Sequence, residues 1–410
     1  MKVLCVGGGP GGLYTATQLA VDGHDVTVAE RNPEGVTDGW GVAGSELKRT
    51  VEASDPETSR QISQNVETVR GQTLDHPSGS VVSPHGGGHS IGRHALIKVL
   101  AERATELGVT VEYDREVDWA ELLDAGDRVD GWDLVVASDG ANSRFREGHT
   151  TALGTSSRTG RNYFVWLGTT REFGPFTFGF VRTRHGWLWA HAYRHDTGLS
   201  TVTVECPPET WHALGFDTMG AREALAILEW TFAEQLDGHP LLVQERDAER
   251  DVMPWRRHKA VRNEHWRHGR VALLGDAAHT THFSIGSGTR LAFEDGQALA
   301  QSLSQHGGCA DRVPEALTEY ESRRRAAVRL AQRDAEYSAR WLEQIHRFTD
   351  LDADRFAALF DCRLSPFLAK LPPKPYHLVR HTIQENDTLR AAWRRANAIR
   401  RHRFVSKHTS

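Results

Sequence analysis

Residues 275–295, GDAAHTTHFSIGSGTRLAFED, place a carboxylate, two imidazoles and a Gly-Ser-Gly turn in one short stretch. Asp276 follows the apolar run Val271-Ala272-Leu273-Leu274, so it stands at the end of a buried strand, where a carboxylate beside a glycine can accept hydroxyl hydrogen bonds. His279 and His282, three apart, are candidate general bases, since an imidazole with a pKa near ~6.5 can take the proton of a phenol. For His279 the competing reading is a structural histidine bonded to backbone. A metal centre is not indicated, because no third ligand accompanies them at suitable spacing. Gly286, Ser287 and Gly288, followed by Thr289 and Arg290, open a segment with helical spacing. Unpaired N–H groups at such a start favour negative charge, and the glycines permit a planar group to approach closely.

A second constellation lies at the amino terminus. Gly7-x-Gly9-x-x-Gly12 follows the strand-like Lys2 to Val6 and precedes the helical Leu13 to Ala20, with Pro10 and Gly11 inside the turn. Gly7 suits a tight turn, Gly9 lets backbone approach a pyrophosphate, and Gly12 lets helix and strand pack closely. A second strand, Asp25 to Ala29, ends at Glu30, positioned to accept from an adenosine ribose, with Arg31 beside it. Asp139-Gly140 closes a third buried strand, Leu134 to Ala137. Three loops therefore converge on one carboxyl edge, and the two later carboxylates suit the polyol of FAD; the alternative reading of each is a helix N-cap.

The elements that must hold these groups follow from periodicity. The βαβ unit is joined by a helix from Ile91-Gly92-Arg93 to Leu107-Gly108 and a strand over Val109 to Tyr113. Residues 160–206 change to short aromatic and β-branched runs, which predicts an inserted antiparallel sheet. After Pro314, a stripe through Leu317, Tyr320, Val328, Ala335 and Leu342 predicts a long outer helix. The expected fold is α/β: a discontinuous Rossmann-like FAD-binding domain (1–71, 89–150, 260–310), an antiparallel-sheet substrate domain (72–88, 151–259) and a C-terminal helical region (311–410).

A chain of 410 residues with 39% hydrophobic and 25% charged residues and a net charge of -5 has the composition of a soluble globular protein. That charge gives no reason to expect nucleic acid or an anionic membrane as partner. The four cysteines form no C-x-x-C pair, which fits a reducing cytoplasm and neither zinc nor a disulfide framework. No run approaches the ~18 apolar residues of a membrane span.

With these motifs in hand, the chain resembles the FAD-dependent aromatic hydroxylases, single-component flavoprotein monooxygenases with the para-hydroxybenzoate hydroxylase fold. Gly7 to Glu30, Asp139 to Arg146 and Gly275 to His279 match that family's three motifs in order. Arg93 matches its arginine reaching toward FAD. The resemblance implies FAD reduced by NADH or NADPH, reaction with O₂ to a flavin hydroperoxide, and hydroxylation of an electron-rich aromatic ring. Where the family has proline, this chain has His282 and Phe283, and the turn runs on to Thr289 and Arg290 in place of Asn. That variant, together with DGWGV (Trp40, Gly41 and Val42), is similar to the subgroup acting on aryl-CoA thioesters. Trp187, Trp189 and His191 would share one face of a strand, with Leu188 and Ala190 on the other, and with Phe283 could bound the aromatic substrate. An aromatic face packed into the interior is the competing reading.

The substrate implied is a small aromatic acid, held as a CoA or carrier-protein thioester. The basic tail, Arg394, Arg395, Arg400, Arg401 and Arg403, could contact a phosphate or an acidic carrier, although a solvated run is the simpler account. Three alternatives stay open: hydroxylation of a free aromatic or indole intermediate, flavin-dependent halogenation, and a flavin-binding accessory protein that oxidises nothing. Trp187-x-Trp189 matches half of the halogenase W-x-W-x-I-P signature, with His191 and Ala192 where Ile-Pro would stand. The sequence leaves the oligomeric state and the choice of NADH or NADPH open.

Overall fold

Lys2–Val6 is apolar at every position but its first, and Val3 to Val6 are buried. A strand buried on both faces belongs at the centre of a parallel sheet, and that is where it lies. The computed structural model describes residues 1–44, 47–52, 54–123 and 129–365, and scattered positions from 372 to 395. Six strands form the first sheet, in the order Arg267–His268, Val271–Leu273, Leu134–Ala137, Lys2–Val6, Asp25–Ala29, Thr110–Glu112. All pairings are parallel except the first. The helices Pro10–Val21, Arg93–Glu106 and Gly288–Gln305 supply most of the apolar cover.

Register decides where the motifs emerge. Val6 pairs with both Ala29 and Ala137, and Leu273 pairs with Ala137. The chain therefore leaves the sheet at Gly7, Glu30, Ser138 and Leu274 along a single edge, as the three-loop reading expects.

The second sheet has nine strands, and its long members Ser156–Thr169, Phe176–Thr183, Gly186–Asp196 and Leu199–Cys206 are antiparallel neighbours. Its reach corrects the expected boundaries. Gly41–Gly44 pairs with the end of Gly79–Gly92, and the sheet also takes in Glu67–His76, so segments assigned to the nucleotide domain complete it. The expected alternation is present. Leu188 and Ala190 face an aliphatic core under the helix Ala221–Thr231, whereas Trp187 and Trp189 face the C-terminal helices. Val313–Glu343 is helical, and its stripe touches both cores: Leu317 and Tyr320 join the first, Trp341 and Leu342 the second. Among the described residues no helix is long and apolar enough to cross a membrane, and no cluster of His, Cys, Asp or Glu could hold a metal ion.

One buried carboxyl on the inner face of the second sheet titrates abnormally. Glu205 accepts from Trp189 Nε1 (3.0 Å) and Asn162 Nδ2 (2.8 Å), and burial pushes its carboxyl up to about 7. A folded pKa above the unfolded one means that stability is full below the unfolded pKa and declines as pH rises toward 7. Glu205→Gln should therefore resist urea better than the parent at pH 8, by on the order of 2–3 kcal/mol, and lose that advantage near pH 4. Asn162 Oδ1 has no partner, so a flipped Asn162 amide can accept from the new glutamine.

Candidate active site

At the sheet's carboxyl edge lies an open cleft of about 1430 Å³, lined by Gly7, Gly9, Glu30, Arg31, Arg93, Asp139, Gly140 and Asp276. Gly7 sits at φ +106°, and a Cβ there would lie 2.5 Å from the Ser138 carbonyl oxygen. On Gly12 a Cβ would overlap the Gly7 carbonyl itself. Gly11 rests on Ala292 and Leu274, and Pro10 begins the helix, where its missing N–H costs nothing. At Gly9 a Cβ would meet nothing within 4 Å, so that backbone faces the cleft.

The acids are arranged around this turn. Glu30 accepts from the backbone N–H of Gly8 (2.6 Å) and Asn32 (2.8 Å), which fixes the carboxylate and leaves a lone pair on each oxygen. Asp139 accepts from Arg144 N–H (2.9 Å), yet its Oδ1 is buried without a partner. Burial raises its carboxyl above the ordinary value. Asp276 stands exposed to the cleft; desolvation pushes its carboxyl up, opposed by His279, Arg93 and Arg146. Arg93 begins its helix, donates Nε–H to Thr37 Oγ1 (3.2 Å) and faces Asp276, Asp38 and Glu30. A glycine turn open to the cleft, an orphaned buried carboxylate oxygen and an arginine between acids fit a dinucleotide with hydroxyl-bearing sugars.

The sequence reading missed the part played by Arg146. Its buried guanidinium donates to the carbonyls of Ala141 and of Ala277 (3.1 Å), tying the Asp139 loop to the Asp276 loop. An arginine ending D-G-x-x-S-x-x-R was a visible signal, but the Ala277 carbonyl it finds lies more than a hundred residues away.

The DGWGV segment reaches the second sheet. Trp40 lies against Gly168, where a Cβ would be 2.5 Å from the indole, so its ring packs on the sheet and does not line the cleft. Gly41 accepts from Tyr193 Oη (2.8 Å), and Val42 pairs with Ile91. Gly39, at φ +93°, sits against Trp166, which does line the cleft. At the other wall Gly286 takes φ +57° and abuts the Ala43 carbonyl, while Ser287 caps the helix Gly288–Gln305. A Cβ on Gly288 would meet nothing within 4 Å; Thr289 follows, and Arg290 is ion-paired with Glu294.

The two histidines part company. His279 turns behind its loop: Nε2 lies 2.7 Å from Asp295 Oδ2, and the ring stacks on Trp266. Asp295 also accepts from Gly275 N–H (3.1 Å) and Arg324 Nε (2.7 Å). His279 is thus committed to a buried network and is withdrawn as a candidate base. His282 turns toward the second sheet, with Nδ1 2.8 Å from Ser284 Oγ and its ring against Phe283 and His258. Burial, then His258, His191 and Arg363, hold it well below its ordinary pKa. These neighbours disfavour the imidazolium, so His282 is a poorer proton acceptor than a free imidazole.

Phe283 packs on Phe164 (4.7 Å) and His191 (5.8 Å). His191 therefore joins His282, whereas Trp187 and Trp189 do not; they pack among Phe180, Trp341 and Phe356. For those two the interior reading is the one observed. His191 Nε2 is buried without a partner, and burial takes its pKa down to about 3. Arg394, Arg400, Arg401 and Arg403 lie outside the described residues; Arg395 is exposed.

Comparison with known proteins agrees with this geometry. Residues 1–335 match the family model described as FAD binding domain. The chain is 38% identical over 368 residues to a salicyloyl-CoA 5-hydroxylase of Streptomyces sp., covering 85% of this chain and 66% of that protein, just under two thirds of its length. It is 36% identical over 355 residues to the 3-hydroxy-4-methyl-anthranilyl-[aryl-carrier protein] 5-monooxygenase of Streptosporangium sibiricum, covering 84% of this chain and 90% of that one. Among solved structures, the tetrameric form of 2-methyl-3-hydroxypyridine-5-carboxylic acid oxygenase superposes with a TM-score of 0.67 at 18% identity, covering 88% of this chain and 97% of that one.

Proposed function

Since the chain belongs to the FAD binding domain family of flavoprotein monooxygenases, we propose that it hydroxylates an electron-rich aromatic ring held as a CoA or carrier-protein thioester, with NADH or NADPH and O₂. The observation that carries this reading is the continuity of the cofactor cleft with an aromatic face. Trp166 lines the cleft, and Phe164, two residues away on the same face of the same strand, packs on Phe283. The names of both relatives at 36–38% identity specify thioester-linked aryl groups, which supports that substrate class.

The parts divide as follows. The turn from Gly7 to Gly12 with Glu30, Arg93, Asp139 and Asp276 holds FAD. When bound and reduced by the nicotinamide, FAD would supply the two electrons that activate O₂, one atom of which enters the ring while the other leaves as water. Protein groups orient the ring and keep water out. The unpaired N–H groups at the start of the helix Gly288–Gln305 would favour negative charge on a group held beside them. His282, whose Nδ1 accepts from the Ser284 N–H (3.4 Å), carries its proton on Nε2 and offers it as a donor to an oxygen on the ring.

Mass spectrometry after turnover tests the reading. The FAD-loaded enzyme is incubated with NADH or NADPH, O₂ and a panel of free and thioester-linked hydroxy- and aminobenzoic acids. A thioester product heavier by one oxygen, with nicotinamide oxidation accelerated by that substrate, is expected. Success only on a free phenol or indole would overturn the thioester assignment. Chlorinated product in chloride would replace hydroxylation by halogenation, and no accelerated oxidation with any aromatic would overturn the enzyme reading.

A further inference from the structure

Beyond the helix Ala353–Asp361 the chain folds back, and Arg363 enters the region between the second sheet and the Phe283–Ile285 turn. Its Nε donates to Ser338 Oγ (3.1 Å), Nη1 to the Phe360 carbonyl (3.0 Å) and Nη2 to the Ser284 carbonyl (3.2 Å). The guanidinium lies 4.1 Å from the Phe360 ring and 5.9 Å from that of Phe178. Every one of these partners is neutral. Among the described residues no carboxylate lies within ion-pair distance, whereas Arg324 pairs with both Asp295 and Glu294.

Asp361, two residues back, acts on Arg363 through its charge without contacting it. His282 is joined to Arg363 through Ser284 and Ser338, whose hydroxyls are 2.7 Å apart. His191 and His258 complete the group, the second 5.0 Å from His282. Arg363 lowers the pKa of both His191 and His282, while burial takes Arg363 itself down to about 10. A guanidinium that no carboxylate contacts, with two of its five N–H groups uncommitted, can be completed by an anionic ligand.

We infer that Arg363 is the specificity-determining residue of the substrate chamber: its guanidinium takes an anionic oxygen borne by the aromatic ring, a phenolate or a carboxylate, while Phe164, Phe178 and Phe283 bound the ring. This deepens the aromatic-substrate reading and rests on it. Trp166 lines the cleft, and Phe164, two residues along the same face of its strand, packs on Phe283, so the proposed chamber adjoins the cofactor cleft. Charge-assisted hydrogen bonds to a carboxylate or phenolate are about twice as strong as neutral ones, which makes the ring's charge the selected property.

Calorimetry on the FAD-loaded protein tests this without turnover, so it does not depend on whether oxygen transfer occurs. Two near-isosteric pairs serve as probes: benzoate against benzamide for a carboxylate, and salicylamide against 2-fluorobenzamide for a ring hydroxyl. At least one pair should show a preference of about 30-fold or more for the ionisable member, and that pair identifies the oxygen. Arg363→Met should abolish the preference while leaving the neutral member's affinity within a few-fold, and Arg363→Lys should retain most of it. Equal binding within both pairs by the parent protein overturns the proposal whether or not the variants fold. So does an Arg363→Met protein that weakens charged and neutral probes alike.

Discussion

A Gly12→Val variant is expected to purify colourless and destabilised, with its affinity for FAD reduced about 100-fold. The Cβ would overlap the Gly7 carbonyl and stand 2.6 Å from Ser138 Oγ, and neither can move cheaply. Gly7 is held by its own N–H to the Ala29 carbonyl (2.8 Å), and Ser138 Oγ donates to the Val6 carbonyl (2.9 Å). The obstacle is therefore two strands of the sheet and not a loop. Gly9→Ala provides the contrast. Its Cβ meets no protein atom within 4 Å, and its φ of -71° suits alanine, so its thermal unfolding without cofactor should match the parent while its flavin absorbance is lost. If Gly9→Ala retains FAD at parental affinity, the cleft beside Gly9 is not where the pyrophosphate lies.

The second large effect is expected at Asp295, fully buried between His279, Arg324 and the Gly275 N–H. Burial alone would push this carboxyl up. His279 and Arg324, by charge and by hydrogen bonds, outweigh it and hold it below the usual carboxylate range. Asp295→Ala leaves a buried guanidinium and imidazole short of a partner, a loss of about 3–5 kcal/mol. A depressed folded pKa contributes stability above the unfolded value, lost as pH falls through the folded one. The gap between parent and variant in urea midpoint should thus be full at pH 7 and narrow as pH falls below about 4. Because Asp295 also holds the Gly275 N–H, the variant should bind FAD more weakly as well.

The cofactor half of this site was legible because its signals are local. Glycine spacing, strand ends and a terminal acid each fall within one βαβ unit or one loop, and parallel register then aligns them without further instruction. The substrate half was only partly so. The sequence offered both His279 and His282 as candidate bases, but the 3-10 turns between the strand and the helix send one back to Asp295 and the other forward to Phe283. Strand alternation placed Trp187, Trp189 and His191 on one face correctly, yet could not say that helices from residue 338 onward would cover the first two and leave the third beside Phe283. Arg363 and His258 gave no local signal at all. Their significance comes from neighbours 79 and 24 positions away in the chain, brought together by packing alone.

The 31-residue helix Val313–Glu343 spans ~46 Å and is keyed into both cores, with Tyr320 bonded to the Leu273 carbonyl near one end and Trp341 stacked on Phe348 at the other. It works as a tie-beam between the two sheets. A frame braced in this way sets the spacing of its two walls through a single continuous element.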